Sequence, residues 1–364
     1  MARGFNTAAD VVTRSADGTD LAAMYREVTE ALKLYNGQRD NLRGLLSYNV
    51  TTPSEDVLQT IYGEVFEEAS EFGVPTAMRP DVTPLKMGFG FKDLDTATRY
   101  TWKFLRDASA EQIRNVLDTV LEADNRQVFE AVLGALLNNT VRSNPEGMAV
   151  QPLYNGDGTI PPAFEGKEFP GTHTHYLASG ADTLDGVDLA ELIGKVREHG
   201  YGMDAGSQLL AVVNPQEGEE VRGFRVASGS PYDFIPGENT PAYLTDQTIV
   251  GDTPPAQYGR LSLIGGFGPA YVHETHLMPA GYVLVVASDG ANGTRNPVGF
   301  RQHPRTEYQG LRTIPGPSPD YPLQHSYYQR SFGTGVRHRG AAAVMQVTTA
   351  TTYTTPAKYA RVVA

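Results

Sequence analysis

Eight histidines are the natural place to look for metal chemistry in this chain. His173-Thr174-His175 sets two imidazoles on one face of a strand, and His273-Glu274-Thr275-His276 offers three more ligands. A metal-dependent hydrolase built on His173, His175, His273 and His276 requires the two pairs to converge. Neither pair has the H-E-x-x-H spacing that puts two imidazoles and a general base on one helical face. Leu277-Met278-Pro279-Ala280-Gly281 follows the second pair and reads as a turn into a strand. The histidines are therefore read as ordinary polar positions and strand ends, and no metal ligand is assigned.

Other chemistry is equally thin. Gly265-Gly266-Phe267-Gly268-Pro269 lacks the order of a dinucleotide-binding loop, and Pro269 blocks a helix directly behind it, so the segment reads as a turn. No Gly-Lys-Ser/Thr phosphate loop and no G-x-S-x-G nucleophile turn occurs. Acidic pairs such as Glu67-Glu68 and Glu219-Glu220 read as solvent-facing. No catalytic residue and no cofactor is assigned, and the chain is not read as an enzyme.

Composition narrows the class further. Cysteine is absent, which excludes disulfides and sulfur-ligated zinc. The opening Met1-Ala2-Arg3-Gly4-Phe5-Asn6 has no apolar core of a secretory signal, and no stretch of 18 apolar residues spans a membrane. A net charge of −12 argues against a dedicated nucleic-acid binder. The charge is uneven. Arginines 295, 301, 305, 312, 330, 337 and 339 face only Glu307 and Asp320 in their stretch, a local +5 that leaves −17 on the remainder. Such asymmetry suits copies that meet positive side to negative side.

The elements that would position these residues begin with one long amphipathic helix over 109–141. Ile113, Val116, Leu117, Val120, Leu121, Val128, Val132, Leu133, Leu136 and Leu137 recur at helical spacing behind a Ser109–Gln112 capping box. A helix of that length crosses nearly a whole compact subunit, which implies an elongated protein. Residues 1–20 show no periodicity. Shorter helices are expected over 20–36 and from Thr52 to Phe72. Met87, Phe89 and Phe91, followed by 98–104, read as a two-stranded excursion with Trp102 at its base. A helix over 184–200 and a buried strand over 209–213 follow, the latter stopped by Asn214-Pro215. Further strands are expected at 261–264, 271–273 and 282–286 and, as one long strand, over 341–353; 289–335 reads as irregular.

This order of parts resembles the major capsid protein of tailed bacteriophages, whose fold is shared with encapsulin shells. The resemblance rests on the long helix, on Leu184 to Val196 followed by Leu209 to Pro215, and on Pro279-Ala280-Gly281-Tyr282 before a Val-rich strand. It implies an α+β fold with an N-terminal arm over 1–74 and an extended β-hairpin loop over 75–108. The spine helix and peripheral domain would occupy 109–214, an axial domain 215–335, and a return to the peripheral domain 336–364.

The function implied is structural: an icosahedral shell of pentamers and hexamers enclosing double-stranded DNA in the virion, assembled in the host cytoplasm. An encapsulin-like cargo compartment is the alternative. No long charged coiled coil precedes the arm, which implies a separate scaffolding protein or assembly without one. Portal and decoration proteins are further expected partners, packaged DNA would be held by weak non-specific contact, and no membrane is involved. Arg79, Lys86 and Lys92 are candidate intersubunit contacts. Arg301, Arg305 and Arg312 are candidates for facing DNA or a neighbouring subunit.

Overall fold

The structure is a computed structural model that describes residues 13–37, 41–60, 82–238, 253–315 and 323–360, with positions 4, 68–69, 71–74 and 77 besides. Helix α1 (Leu21–Gly37) and the short α2 (Leu42–Leu46) lead into strands β1 (Ser47–Val50), β2 (Ser54–Thr60), β3 (Val82–Gly88) and β4 (Lys92–Thr101). Helix α3 (Trp102–Asp107) precedes the long α4 (Ala110–Leu137). Strands β5 (Arg142–Ser143), β6 (Ala149–Val150) and β7 (Tyr176–Ala178) follow, then α5 (Gly186–Arg197), β8 (Gln208–Val213) and α6 (Pro215–Arg222). The later strands are β9 (Phe234–Pro236), β10 (Gln257–Tyr258), β11 (Leu261–Phe267), β12 (Ala270–Glu274) and β13 (Tyr282–Ser288). After them come β14 (Val298–Gln302), β15 (Arg312–Pro315), β16 (Leu323–Val336), β17 (Ala342–Gln346) and the short α7 (Ala357–Ala360).

The chain divides into two compact units. The first comprises Met1–Gln38, Lys92–Val128 and Gln302–Phe332. In it, α1 turns Val28, Leu32 and Tyr35 onto Leu117, Val120 and Leu121 of α4, with Leu311 and Tyr328 completing the cluster. Asp20 caps α1 by accepting from the Ala22 amide at 2.8 Å. Strand β4 pairs antiparallel with Leu323–Phe332 of β16, and β15 lies antiparallel on that strand's other edge. Asn36 ties α1 to the loop before β15: its amide donates to the Leu311 carbonyl, and its oxygen accepts from the Leu311 amide, both at 2.9 Å.

The second unit comprises Arg39–Phe91, Phe129–Arg301 and Gly333–Ala364. Its centre is a sheet in the order β10-β11-β12-β8-β13-β17-β7, with β9 added on β11. Every residue of β13 is buried. Helix α5 covers the sheet with Leu189, Leu192, Ile193 and Val196, packed against Val213, Val285 and Met345. Asp185 and Asp188 form a capping box that fixes its start. Asn214 and Pro215 both end β8 and start α6, where Asn214 is the N-cap and Pro215 stands at the first turn.

The long helix begins as its sequence dictates. The Ser109 amide donates to Gln112 Oε1 at 2.9 Å, and the Gln112 amide donates back to Ser109 Oγ at 3.3 Å. Its last carbonyls have no partner within the helix. The Tyr353 hydroxyl donates to the Leu137 carbonyl at 2.6 Å, and the Tyr176 hydroxyl lies 3.0 Å from the Leu136 carbonyl and 2.9 Å from that of Asn138.

Several strand expectations are corrected. Residues 54–60 form β2, not the start of a helix, because Val57 pairs with Leu85 and the whole run aligns with β3. The remainder of that expected helix, 61–67, lies outside the described residues. The stretches around Phe89 and 98–104 do not pair with each other: β3 joins β2, while β4 joins β16. Trp102 opens α3, since Thr101 caps that helix through the Phe104 amide at 3.0 Å. The expected irregular segment 289–335 holds three strands, and the expected long terminal strand is five residues, β17. Gly265, Gly266 and Phe267 lie in β11, and only Gly268 and Pro269 turn.

Candidate functional site

The β2–β3 hairpin is a separate two-stranded sheet, which needs support at its base to persist. That support comes from the second unit. The Phe89 amide donates to the Pro53 carbonyl at 2.9 Å, and Asn144 Nδ2 donates to Pro53 and Phe89 carbonyls at 3.0 and 3.2 Å. Glu55 accepts from the Tyr48 hydroxyl at 3.0 Å and pairs with Arg337 at 2.7 Å. Beyond the base, β16 runs so close that a Cβ on Gly333 would meet the Gly90 carbonyl oxygen at 1.9 Å, so only glycine fits there. Lys86 is exposed on β3, Lys92 is half-buried at the start of β4, and Arg79 lies outside the described residues.

Arg301 is built into this base. Its guanidinium forms a fork on Glu146, with Nη1 to Oε2 at 2.9 Å and Nη2 to Oε1 at 2.5 Å. Nη1 also donates to the Phe89 carbonyl at 3.2 Å, and the group lies over the Phe91 ring. The pairing holds the Glu146 carboxyl below its ordinary range. Arg312 donates to Gln329 at 2.8 Å and covers the Tyr308 ring, whereas Arg305 is exposed before a short 3-10 turn.

The basic stretch as a whole is neutralised from within. Arg295 pairs with Asp204, Arg301 with Glu146, Arg330 with Asp124, Arg337 with Glu55 and Arg339 with Asp157. Five of its seven arginines thus meet a carboxylate of their own chain. The local excess of positive charge seen in the sequence is mostly spent inside the fold.

The histidines gather in a way the sequence spacing did not disclose. His173 and His175 stand in the segment entering β7, and His199 follows the end of α5, where Gly200 at φ 77° turns the chain. Their Nε2 atoms form a triangle, 3.1 Å between His173 and His175 and 3.0 Å from each to His199. Glu198 Oε1 lies 3.3 Å from His173 Nε2, is buried without a hydrogen bond, and has the Lys195 ammonium 3.7 Å away, while Lys167 holds the other carboxylate oxygen at 2.6 Å. All four donor atoms fall within 4.8 Å of one another.

The surroundings keep these imidazoles neutral and fixed. Burial pushes the pKa of all three down, His199 to about 3 and fully buried His175 well below its ordinary value. His175 Nδ1 donates to the Ala342 carbonyl at 2.6 Å, which leaves its Nε2 with a lone pair. Phe169 stacks on His199 with ring centres 4.2 Å apart, and Tyr154 lies on another side. A cleft lined by Tyr154, Phe164, Tyr201 and Arg339 reaches His199.

His273 and His276 are not part of this cluster. His273 is buried on β12 with Nδ1 bonded to the Ser262 carbonyl at 2.8 Å, and His276 is exposed in the following turn. The four-histidine hydrolase arrangement is therefore not formed. Sequence reasoning paired His173 and His175 with the wrong segment and passed over Glu198-His199, whose position directly before a helix-ending glycine was the available signal.

No protein-family model and no curated protein sequence matches the chain. Solved structures do. One from Mycobacterium phage Patience is 39% identical, covers 99% of this chain and 97% of its own, and superposes with a TM-score of 0.72. The mature capsid of bacteriophage PhiM1 covers 85% of this chain and 87% of its own at 10% identity and a TM-score of 0.51. The capsid of an empty GTA particle covers 84% and 90% at 14% identity and a TM-score of 0.50. These last two share the fold. With the full-length match to the phage protein, and with the long helix and the central sheet in place, the chain belongs to the major capsid protein family of tailed bacteriophages.

Proposed function

We propose that this capsid shell protein closes into an icosahedral head of pentamers and hexamers that encloses double-stranded DNA. The observation that carries this reading is the 39% identity to a phage protein over essentially the whole of both chains. The same match favours a genome container over an encapsulin-like cargo compartment. The role is structural, with heterologous contacts repeated around rings and no turnover.

The hairpin β2–β3 supports it. Asp56, Pro84 and Lys86 are exposed along its strands, and its far side meets water unless another copy covers it. Its base is held by its own chain, and a neighbouring subunit would cover these exposed strand positions. We assign Arg79, Lys86 and Lys92 to that contact and Arg305 to DNA or a neighbour. Arg301 and Arg312 are already held inside their own chain, which makes Arg305 the first of the three to examine. Scaffolding, portal and decoration proteins complete the partner set, with assembly in the host cytoplasm and residence in the virion.

The test is to replace residues 61–81, the connection between β2 and β3, by a two-residue Asn-Gly turn. A soluble subunit that no longer closes shells in electron micrographs and sediments as small species is expected. Normal particles from this variant would remove the 61–81 connection, Arg79 included, from the assembly mechanism.

A further inference from the structure

We propose that His173, His175, His199 and Glu198 form a buried four-ligand site for a structural zinc ion. Three imidazole nitrogens and one carboxylate oxygen are a complete donor set for tetrahedral zinc, which takes nitrogen at about 2.0–2.1 Å and oxygen at about 2.0–2.2 Å. Ligand atoms at those lengths stand about 3.3 Å apart in a tetrahedron. Four of the six edges, 3.0, 3.0 and 3.1 Å between nitrogens and 3.3 Å from His173 to the carboxylate, lie within a few tenths of an ångström of that, and all four atoms fall within 4.8 Å of one another.

The donors are also prepared as ligands. Neutral imidazoles bind metal through a lone pair, and the bond from His175 Nδ1 to the Ala342 carbonyl fixes the tautomer that presents Nε2. Glu198 Oε1 is a buried carboxylate oxygen lacking a hydrogen bond, with the Lys195 ammonium 3.7 Å away as a neighbouring cation, so it keeps lone pairs that a metal ion could take. Lys167 on the other oxygen orients the carboxylate. An all-nitrogen and oxygen tetrahedron without thiolate favours zinc over softer-ligand metals, and four protein ligands leave no open position for catalysis.

The site has a mechanical purpose in this fold. Residues 151–175 contain no regular strand or helix, and within them the His175 amide donates to the Tyr154 carbonyl at 2.7 Å and the Tyr154 amide to the Arg339 carbonyl at 3.4 Å. One ion would pin that segment to the end of α5 and, through Ala342, to β17. The cleft beside His199 supplies an entry path for the metal. The site lies wholly within one unit, so it does not depend on the state of assembly.

Metal analysis of the purified full chain, expressed with zinc and freed of loose metal by gel filtration, tests the assignment. About one zinc per chain is expected, exchangeable for cobalt(II) with the visible bands of a tetrahedral centre, and reduced at least about tenfold in His199→Ala. Wild-type chain that retains no zinc and takes up no cobalt would overturn the proposal, as would undiminished zinc in His199→Ala. Should that variant fail to fold, Glu198→Gln keeps all three imidazoles and is expected to release zinc to a colorimetric chelator about tenfold faster than wild type. Equal release rates would overturn the four-ligand assignment.

Discussion

Arg330 and Asp124 form an ion pair in which both side chains are almost wholly enclosed, 8% and 7% exposed. The Tyr35 hydroxyl donates to the same carboxylate oxygen at 2.8 Å, so α1, α4 and β16 meet at one buried charge. Burial, with the neighbouring Asp124 charge second, raises the Tyr35 pKa and keeps the phenol a donor.

Removing one partner strands the other. Asp124→Ala is expected to destabilise the first unit by about 3–5 kcal/mol, because it leaves the Arg330 guanidinium buried without its counter-ion. Glu27→Ala, which breaks the exposed pair with Arg114, should cost less than about 1 kcal/mol. Denaturant unfolding of both variants checks the contrast.

Arg301 and Arg305 should separate cleanly. Arg301→Ala removes the fork on Glu146 and the bond to Phe89, and local hydrogen exchange around Phe89 and β3 is expected to speed up. Arg305→Ala should leave subunit stability within about 0.5 kcal/mol, since the side chain is exposed. Exchange mass spectrometry on the two variants reads the difference.

Tyr353→Phe deletes the hydroxyl on the Leu137 carbonyl and keeps the ring against Tyr176 and Tyr282. The expected loss is about 1 kcal/mol, with faster exchange confined to the end of α4 and the segment that follows. A thermal unfolding scan measures it.

His338 carries a pH dependence. Burial lowers its pKa from 6.5 to about 4, with neighbouring Arg337 and Arg295 adding to the effect. In this window the unfolded chain binds the proton that the folded chain refuses. Stability from this group is therefore complete above about pH 6.5 and falls as pH drops toward 4, by up to about 3 kcal/mol. His338→Gln should flatten that part of a stability–pH profile.

Local signals were the legible part of this chain. The Ser109–Gln112 box, the apolar stripe of α4, the α5 helix behind Asp185 and the Val-rich β13 all follow from neighbours within a few residues. What failed depended on distant partners. Strand β2 reads as a helix start until β3 is laid beside it, and β16 looks irregular because Gly333 and Gly335 answer the backbone near Gly90. The histidine cluster was half visible for the same reason. His173 and His175 stand two residues apart, but His199 reaches them only when α5 packs on the sheet, and no spacing rule announces that.

Whether this chain builds a shell is read from electron microscopy of the purified protein with sedimentation velocity on the same sample. Closed shells are expected, or pentamers and hexamers that close when the scaffolding protein is supplied. A monodisperse monomer that stays monomeric with the scaffolding protein present would contradict that expectation.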